Sequence, residues 1–90
     1  MLVALMTTDK AGALQTRLDN RDAHLAYIAE TGVVAMAGPF LNEDGAMCGS
    51  LIVLDVEDMT AAENWAANDP YNKAGLFSDV RLQEWKRVVG

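Results

Sequence analysis

Apolar and polar positions alternate between two periods along this chain, and the switches between them mark the elements. Met1 to Thr8 is an apolar run followed by Thr8-Asp9-Lys10, which predicts a buried strand. Ala11 to Thr31 has helical spacing, with Leu14, Leu18, Leu25 and Ile28 on one side, and Gly32 provides the stop. Val33 to Ala37 predicts a second strand, closed by Gly38-Pro39. Asn42-Glu43-Asp44-Gly45 is a hairpin turn signal, and Met47 to Val56 is the next strand. Asp58 or Thr60 can cap a second helix, and Thr60-Ala61-Ala62-Glu63 matches a capping box. Pro70 disfavours helical geometry at Asp69, so that helix ends near Asn68. Lys73-Ala74-Gly75 is a turn or a short extra helical piece. Ser78 to Trp85 alternates, with Val80 and Leu82 on one face and Asp79, Arg81 and Gln83 on the other.

The order is βαββαβ. Two helices crossing one face of an antiparallel sheet give a ferredoxin-like α+β sandwich. Met1 to Met6 and Leu51 to Leu54 do not alternate, so these strands want cover on both faces. Two helices cover one face only. The other is expected to be covered by a second copy, making a homodimer.

Composition narrows the class. Ninety residues make one domain over 1–90, and 51% hydrophobic with 22% charged residues is ordinary for a globular protein. A formal net charge of −6 argues against nucleic acid and anionic membrane surfaces as partners. The single cysteine, Cys48, excludes an internal disulfide and fits a reducing compartment. The apolar run at Met1 has no basic leader and is too short to span a membrane, so a cytoplasmic location is expected.

One feature of the first helix breaks its pattern. At about 100° per residue, Arg21 falls inside the arc set by Leu14, Leu25 and Ile28, with Arg17 and His24 on its edge. Either the arginines snorkel, stems inside and heads in water, or they form a positive lip for a carboxylate or phenolate ligand. His24 is the only histidine in the chain. A two-layer fold can bring it to Asp69, at the end of the second helix. A carboxylate there faces the negative end of the helix dipole unless it meets a cation. A paired imidazole can then move protons near neutral pH.

Arg21-Asp22-Ala23-His24-Leu25, Ala37-Gly38-Pro39, Gly49-Ser50 and Asp69-Pro70-Tyr71 occur in an order and spacing that resemble the YCII-related family along nearly the whole chain. The resemblance implies a ferredoxin-like dimer related in shape to muconolactone isomerases. It also implies an active site built on His24 and Asp69. One branch of the family removes chloride from a chlorinated hydroxyhydroquinone, so dehydrochlorination is an expected chemistry.

The expected substrate contacts are Arg21, Gly38, Pro39, Ser50 and Tyr71. Each also has a bland reading. Gly38-Pro39 and Gly49-Ser50 can serve tight turns, Asp69 can satisfy backbone groups at a helix end, and Tyr71 can pack its ring. No metal-ligand spacing, dinucleotide fingerprint or phosphate loop is present, so neither metal nor cofactor is expected. A Ser50-His24-Asp69 triad lacks a nucleophile elbow. The leading expectation is an acid/base enzyme for isomerisation or elimination on a small polar or aromatic substrate. The alternative is a non-catalytic module that binds a small anionic or phenolic ligand.

Overall fold

The computed structural model describes residues 1–90 and follows the predicted order with one added turn of helix. The elements are β1 (Leu2–Asp9), α1 (Leu14–Thr31), β2 (Val34–Leu41), β3 (Met47–Asp55), α2 (Met59–Asn68), α3 (Pro70–Lys73) and β4 (Phe77–Trp85). The four strands form one antiparallel sheet in the order β2-β3-β1-β4. α1 links β1 to β2 past the intervening β3, and α2 with α3 links β3 to β4 past β1, which is the ferredoxin-like α+β topology. No helix is long and apolar enough to cross a membrane.

Strand register decides which side chains meet the helices. Val3 pairs with Leu54 and Leu5 with Ile52, so all four share one face of the sheet. They are buried together with Ala62, Trp65 and Ala66 of α2, and Tyr27 and Ile28 of α1 pack against them. Trp65 Nε1 donates to Thr31 Oγ1 at 2.9 Å, tying α2 to the end of α1. Further along the same face, Thr7 pairs with Ser50. The sheet surface changes from apolar to polar there.

The chain's local chemistry sets the element ends. Gly32 adopts φ 66° and closes α1 in the left-handed conformation. Asp58, not Thr60, caps α2 by accepting from the Ala61 backbone N–H at 2.8 Å, so the Thr60–Glu63 capping box does not form. α1 starts at Leu14, later than Ala11, because positive φ at Gly12 keeps the preceding residues in a turn. Pro70 opens α3 as its first residue, where a missing N–H removes no helical bond.

Three expectations need correction. Gly38-Pro39 does not close β2 but lies inside it; β2 is an edge strand, where proline deprives no neighbour of a hydrogen bond. Gly49 serves no turn either. It lies inside β3, and a Cβ there would collide with the Thr7 carbonyl oxygen, so glycine permits the close approach of β1 and β3. The leucines of α1 are not its core face. Leu14, Leu18 and Leu25 are 42%, 47% and 47% exposed, while the buried residues of the helix are Arg17 and His24. The apolar stripe sits roughly 60–120° round the helix from the face that meets the sheet.

Candidate active site

α1 lays Arg17, Arg21 and His24 along the polar end of the sheet. These three line a cavity of about 170 Å³ with Leu25 and Ile28 of α1, Ala37, Gly38 and Pro39 of β2, Met47, Ser50 and Ile52 of β3, and Tyr71 of α3. Of the residues expected at the site, Arg21, His24, Gly38, Pro39, Ser50 and Tyr71 meet at this cavity. Asp69 stands behind His24, fully buried.

His24 is held on two sides. Its Nδ1 lies 2.7 Å from Asp69 Oδ1. Its ring stacks on Tyr71, with centroids 3.9 Å apart and planes 13° from parallel. Asp69 Oδ1 also accepts from the Tyr71 backbone N–H at 3.0 Å. Asp69 thus ends α2 and caps α3 at once, so the Tyr71 N–H at the start of the next helical turn offsets the unfavourable dipole of the first. An ionised carboxylate only accepts, so a neutral imidazole facing ionised Asp69 donates from Nδ1 and keeps its lone pair on Nε2. Asp69 Oδ2 is buried without a partner.

Arg17 does not snorkel. It is 3% exposed, and it donates from Nε to Asp9 Oδ2 at 2.7 Å and from Nη2 to Asp9 Oδ1 at 2.9 Å. Nη2 also donates to Ser50 Oγ at 3.1 Å. The guanidinium lies 4.8 Å from the centre of the Tyr71 ring, within cation–π range. Burial works against the charged form of Arg17, but hydrogen bonds and charge from Asp9 outweigh it and hold the proton more firmly than usual. Burial pushes the Tyr71 hydroxyl above its ordinary value of 10.0, against the pull of Arg17 and Arg21. The phenol therefore stays protonated at neutral pH and is available as a donor.

Arg21 is exposed at the cavity mouth and forms no ion pair. The lip of the sequence reading is thus Arg21 alone. Asp9 was not among the expected site residues. A signal for it existed: positions 3, 5, 7 and 9 share one face of a strand, which puts a carboxylate on the helix side. Met47 and Ile52 were also unforeseen as cavity residues. No group of three His, Cys, Asp or Glu side chains gathers to hold a metal ion.

Fold and cavity together define a ferredoxin-like α+β protein with a polar pocket between the first helix and the sheet. The chain belongs to the YCII-related family, whose domain model matches residues 1–86. It is similar to protein YciI of Escherichia coli O6:H1, with 36% identity over an alignment that covers 98% of this chain and 99% of that protein. It is also similar to the 5-chloro-2-hydroxyhydroquinone dehydrochlorinase TftG of Burkholderia phenoliruptrix, solved in complex with 2,5-dihydroxybenzoquinone. There the TM-score is 0.87 at 35% identity, covering 96% of this chain and 94% of that one. An antibiotic biosynthesis monooxygenase, 12% identical with a TM-score of 0.57 and covering 97% of this chain and all of its own, shares the fold alone.

Proposed function

We propose that this protein is a small acid/base enzyme that isomerises, or eliminates from, a single-ring phenolic or quinonoid substrate. The observation that carries this reading is the 2.7 Å contact between His24 Nδ1 and Asp69 Oδ1, made by a buried imidazole on the wall of a cavity. His24 Nε2 takes a proton from a hydroxyl or an acidic C–H of the substrate. The freed electron pair moves into the ring system. It then either expels a leaving group with its bonding electrons or is reprotonated at another carbon. Asp69 fixes the tautomer and stabilises the imidazolium formed in the step. Arg21 attracts the substrate's negative charge, Ser50 and Tyr71 supply hydroxyls, and Gly38 and Pro39 form the opposite wall. The likeness to a dehydrochlorinase at 35% identity supports elimination of chloride as the reaction to try first.

The test is chloride release from 5-chloro-2-hydroxyhydroquinone, with 2,5-dihydroxybenzoquinone binding measured alongside. Turnover that falls by about 10²–10⁴ in His24→Gln is expected for a general base. Binding of the quinone without turnover of any chlorinated or isomerisable phenol would replace the enzyme with a ligand-binding module.

Assembly belongs to the same proposal. Register places Ala4, Met6, Leu51, Val53, Met36 and Phe40 on the helix-free face of the sheet, where Met36 and Phe40 are 45% and 42% exposed. A second copy covering this face makes a homodimer and leaves both cavities open on the outer layers. Light scattering should give twice the chain mass, and a stable monomer would overturn it.

A further inference from the structure

Ser50 is 4% exposed, lines the cavity, and makes one hydrogen bond, to Arg17 Nη2 at 3.1 Å. A guanidinium has donors and no acceptor. In that bond the serine oxygen must accept, and its own proton must go elsewhere. No protein group takes it. A buried hydroxyl proton without an acceptor is unfavourable, so the acceptor has to come from whatever fills the cavity.

We infer that Arg17 and Asp9 form a positioning pair that turns the Ser50 hydroxyl into a fixed donor toward an oxygen of the bound ligand, and that the ligand is a single-ring oxyanion. This rests on the reading of the cavity as the substrate site. The pair is built to hold still. Two parallel hydrogen bonds of 2.7 and 2.9 Å fix the plane of the guanidinium against Asp9. The same guanidinium packs 4.8 Å from the Tyr71 ring, whose centroid is 3.9 Å from that of His24. One buried ion pair therefore sets the serine donor and, through Tyr71, the base in a single frame.

The ligand class follows from charge and size. Arg17 is bonded to Asp9 and His24 to Asp69, so Arg21 is the one charged cavity residue with no opposite charge bonded to it. That leaves room for an anion. The cavity, about 170 Å³, is close to the size of about 150 Å³ that holds benzene in a protein interior, so it has room for one six-membered ring with its substituents toward the open mouth. A hydroxyl donor placed at the ring oxygen meets the charge that develops there as His24 removes a proton. Arg17 touches neither base nor substrate oxygen in this scheme. It acts through Ser50.

The probe is 4-nitrophenolate, at a pH where the phenol is ionised, read by binding and by the absorption maximum of the bound chromophore. A hydroxyl donating to the phenolate oxygen moves that maximum to shorter wavelength. Ser50→Ala should weaken binding about tenfold or more and move the bound maximum back to longer wavelength. Arg17→Gln/Asp9→Asn replaces the ion pair by two amides and gives the serine proton an acceptor in the protein. It should reproduce both effects while keeping the far-ultraviolet dichroism of the fold, and adding Ser50→Ala should change little more. A bound maximum that is the same in wild type and Ser50→Ala overturns the donor assignment, whether or not the double variant folds. An unchanged maximum in a folded double variant overturns the positioning role. Binding lost in Arg21→Ala but untouched in Ser50→Ala keeps the cavity as an anion site and removes this inference alone. A wild-type chain that binds neither 4-nitrophenolate nor 2,5-dihydroxybenzoquinone removes the inference and the reading beneath it together.

Discussion

β1 and β3 build two different things on one surface. At one end of the helix-covered face, Val3, Leu5, Ile52 and Leu54 are buried by aliphatic and aromatic neighbours and form the core. At the other end, Thr7, Asp9 and Ser50 come from the same two strands and lie under Arg17 and His24. The first end is held by burial of apolar area, which is non-directional. The second is held by hydrogen bonds and paired charges, whose worth depends on every partner being in place. A small fold can thus carry a polar site within its interior if one end of the sheet supplies the stability that the other end does not.

The sharpest way to break this comparison is at the core end. Leu54 is fully buried, and Leu54→Ala should destabilise the chain by about 2–5 kcal/mol through lost burial and the cavity left behind. Urea unfolding measures it. Ligand affinity per folded molecule should be unchanged, because Leu54 does not line the site cavity.

A second comparison uses the two tyrosines, one at each end. Tyr27 packs against the core and donates its hydroxyl to the Trp65 carbonyl at 2.9 Å, and Tyr71 lines the site. Burial raises both above the ordinary 10.0, with the charge of Asp69 adding to the effect. The folded chain then holds protons that the unfolded chain has released. Stability from these groups is whole below pH 10.0 and is lost as pH rises through the raised values. Tyrosinate absorbance should therefore lag behind that of the urea-unfolded chain during an alkaline titration. Coincident curves would show that neither ring is buried as described.

The smallest effect belongs to Thr7. Its Oγ1 is buried without a partner, so Thr7→Val replaces an unsatisfied hydroxyl by a methyl of similar shape. The change should be near neutral or stabilising, within about 1 kcal/mol, although it lies at the polar end. A loss larger than that in a thermal melt would mean Thr7 has a partner such as ordered water.

The fold was legible in the sequence because its punctuation is local. Gly32 and Pro70 end or start helices by backbone chemistry, and the short apolar runs between them have the length of strands. The face of α1 was not legible for the opposite reason. The reading equates apolar with buried, and here Arg17 and His24 occupy the buried face while Leu14, Leu18 and Leu25 face outward. Which charged residues are buried depends on a partner supplied by another element. Asp9 satisfies Arg17 across the layer between β1 and α1, and nothing in the helix alone reveals it. The two motif residues His24 and Asp69 were singled out by type, by their places in the fold and by the resemblance to the YCII-related family. Their 45-residue separation gives no local signal of contact.

The central claim is that Asp69 holds His24 as the Nδ1–H tautomer with Nε2 free for substrate. His24 is the only histidine, so nitrogen-15 NMR of labelled protein reads one imidazole without overlap. In the neutral ring, the account predicts a protonated, pyrrole-type Nδ1 and an unprotonated, pyridine-type Nε2. It also predicts that Asp69→Ala, which removes the acceptor of the Nδ1 proton, shifts the ring toward the Nε2–H form and reduces turnover or ligand binding. A ring already in the Nε2–H form in the wild type, or the same tautomer populations in both proteins, would contradict it.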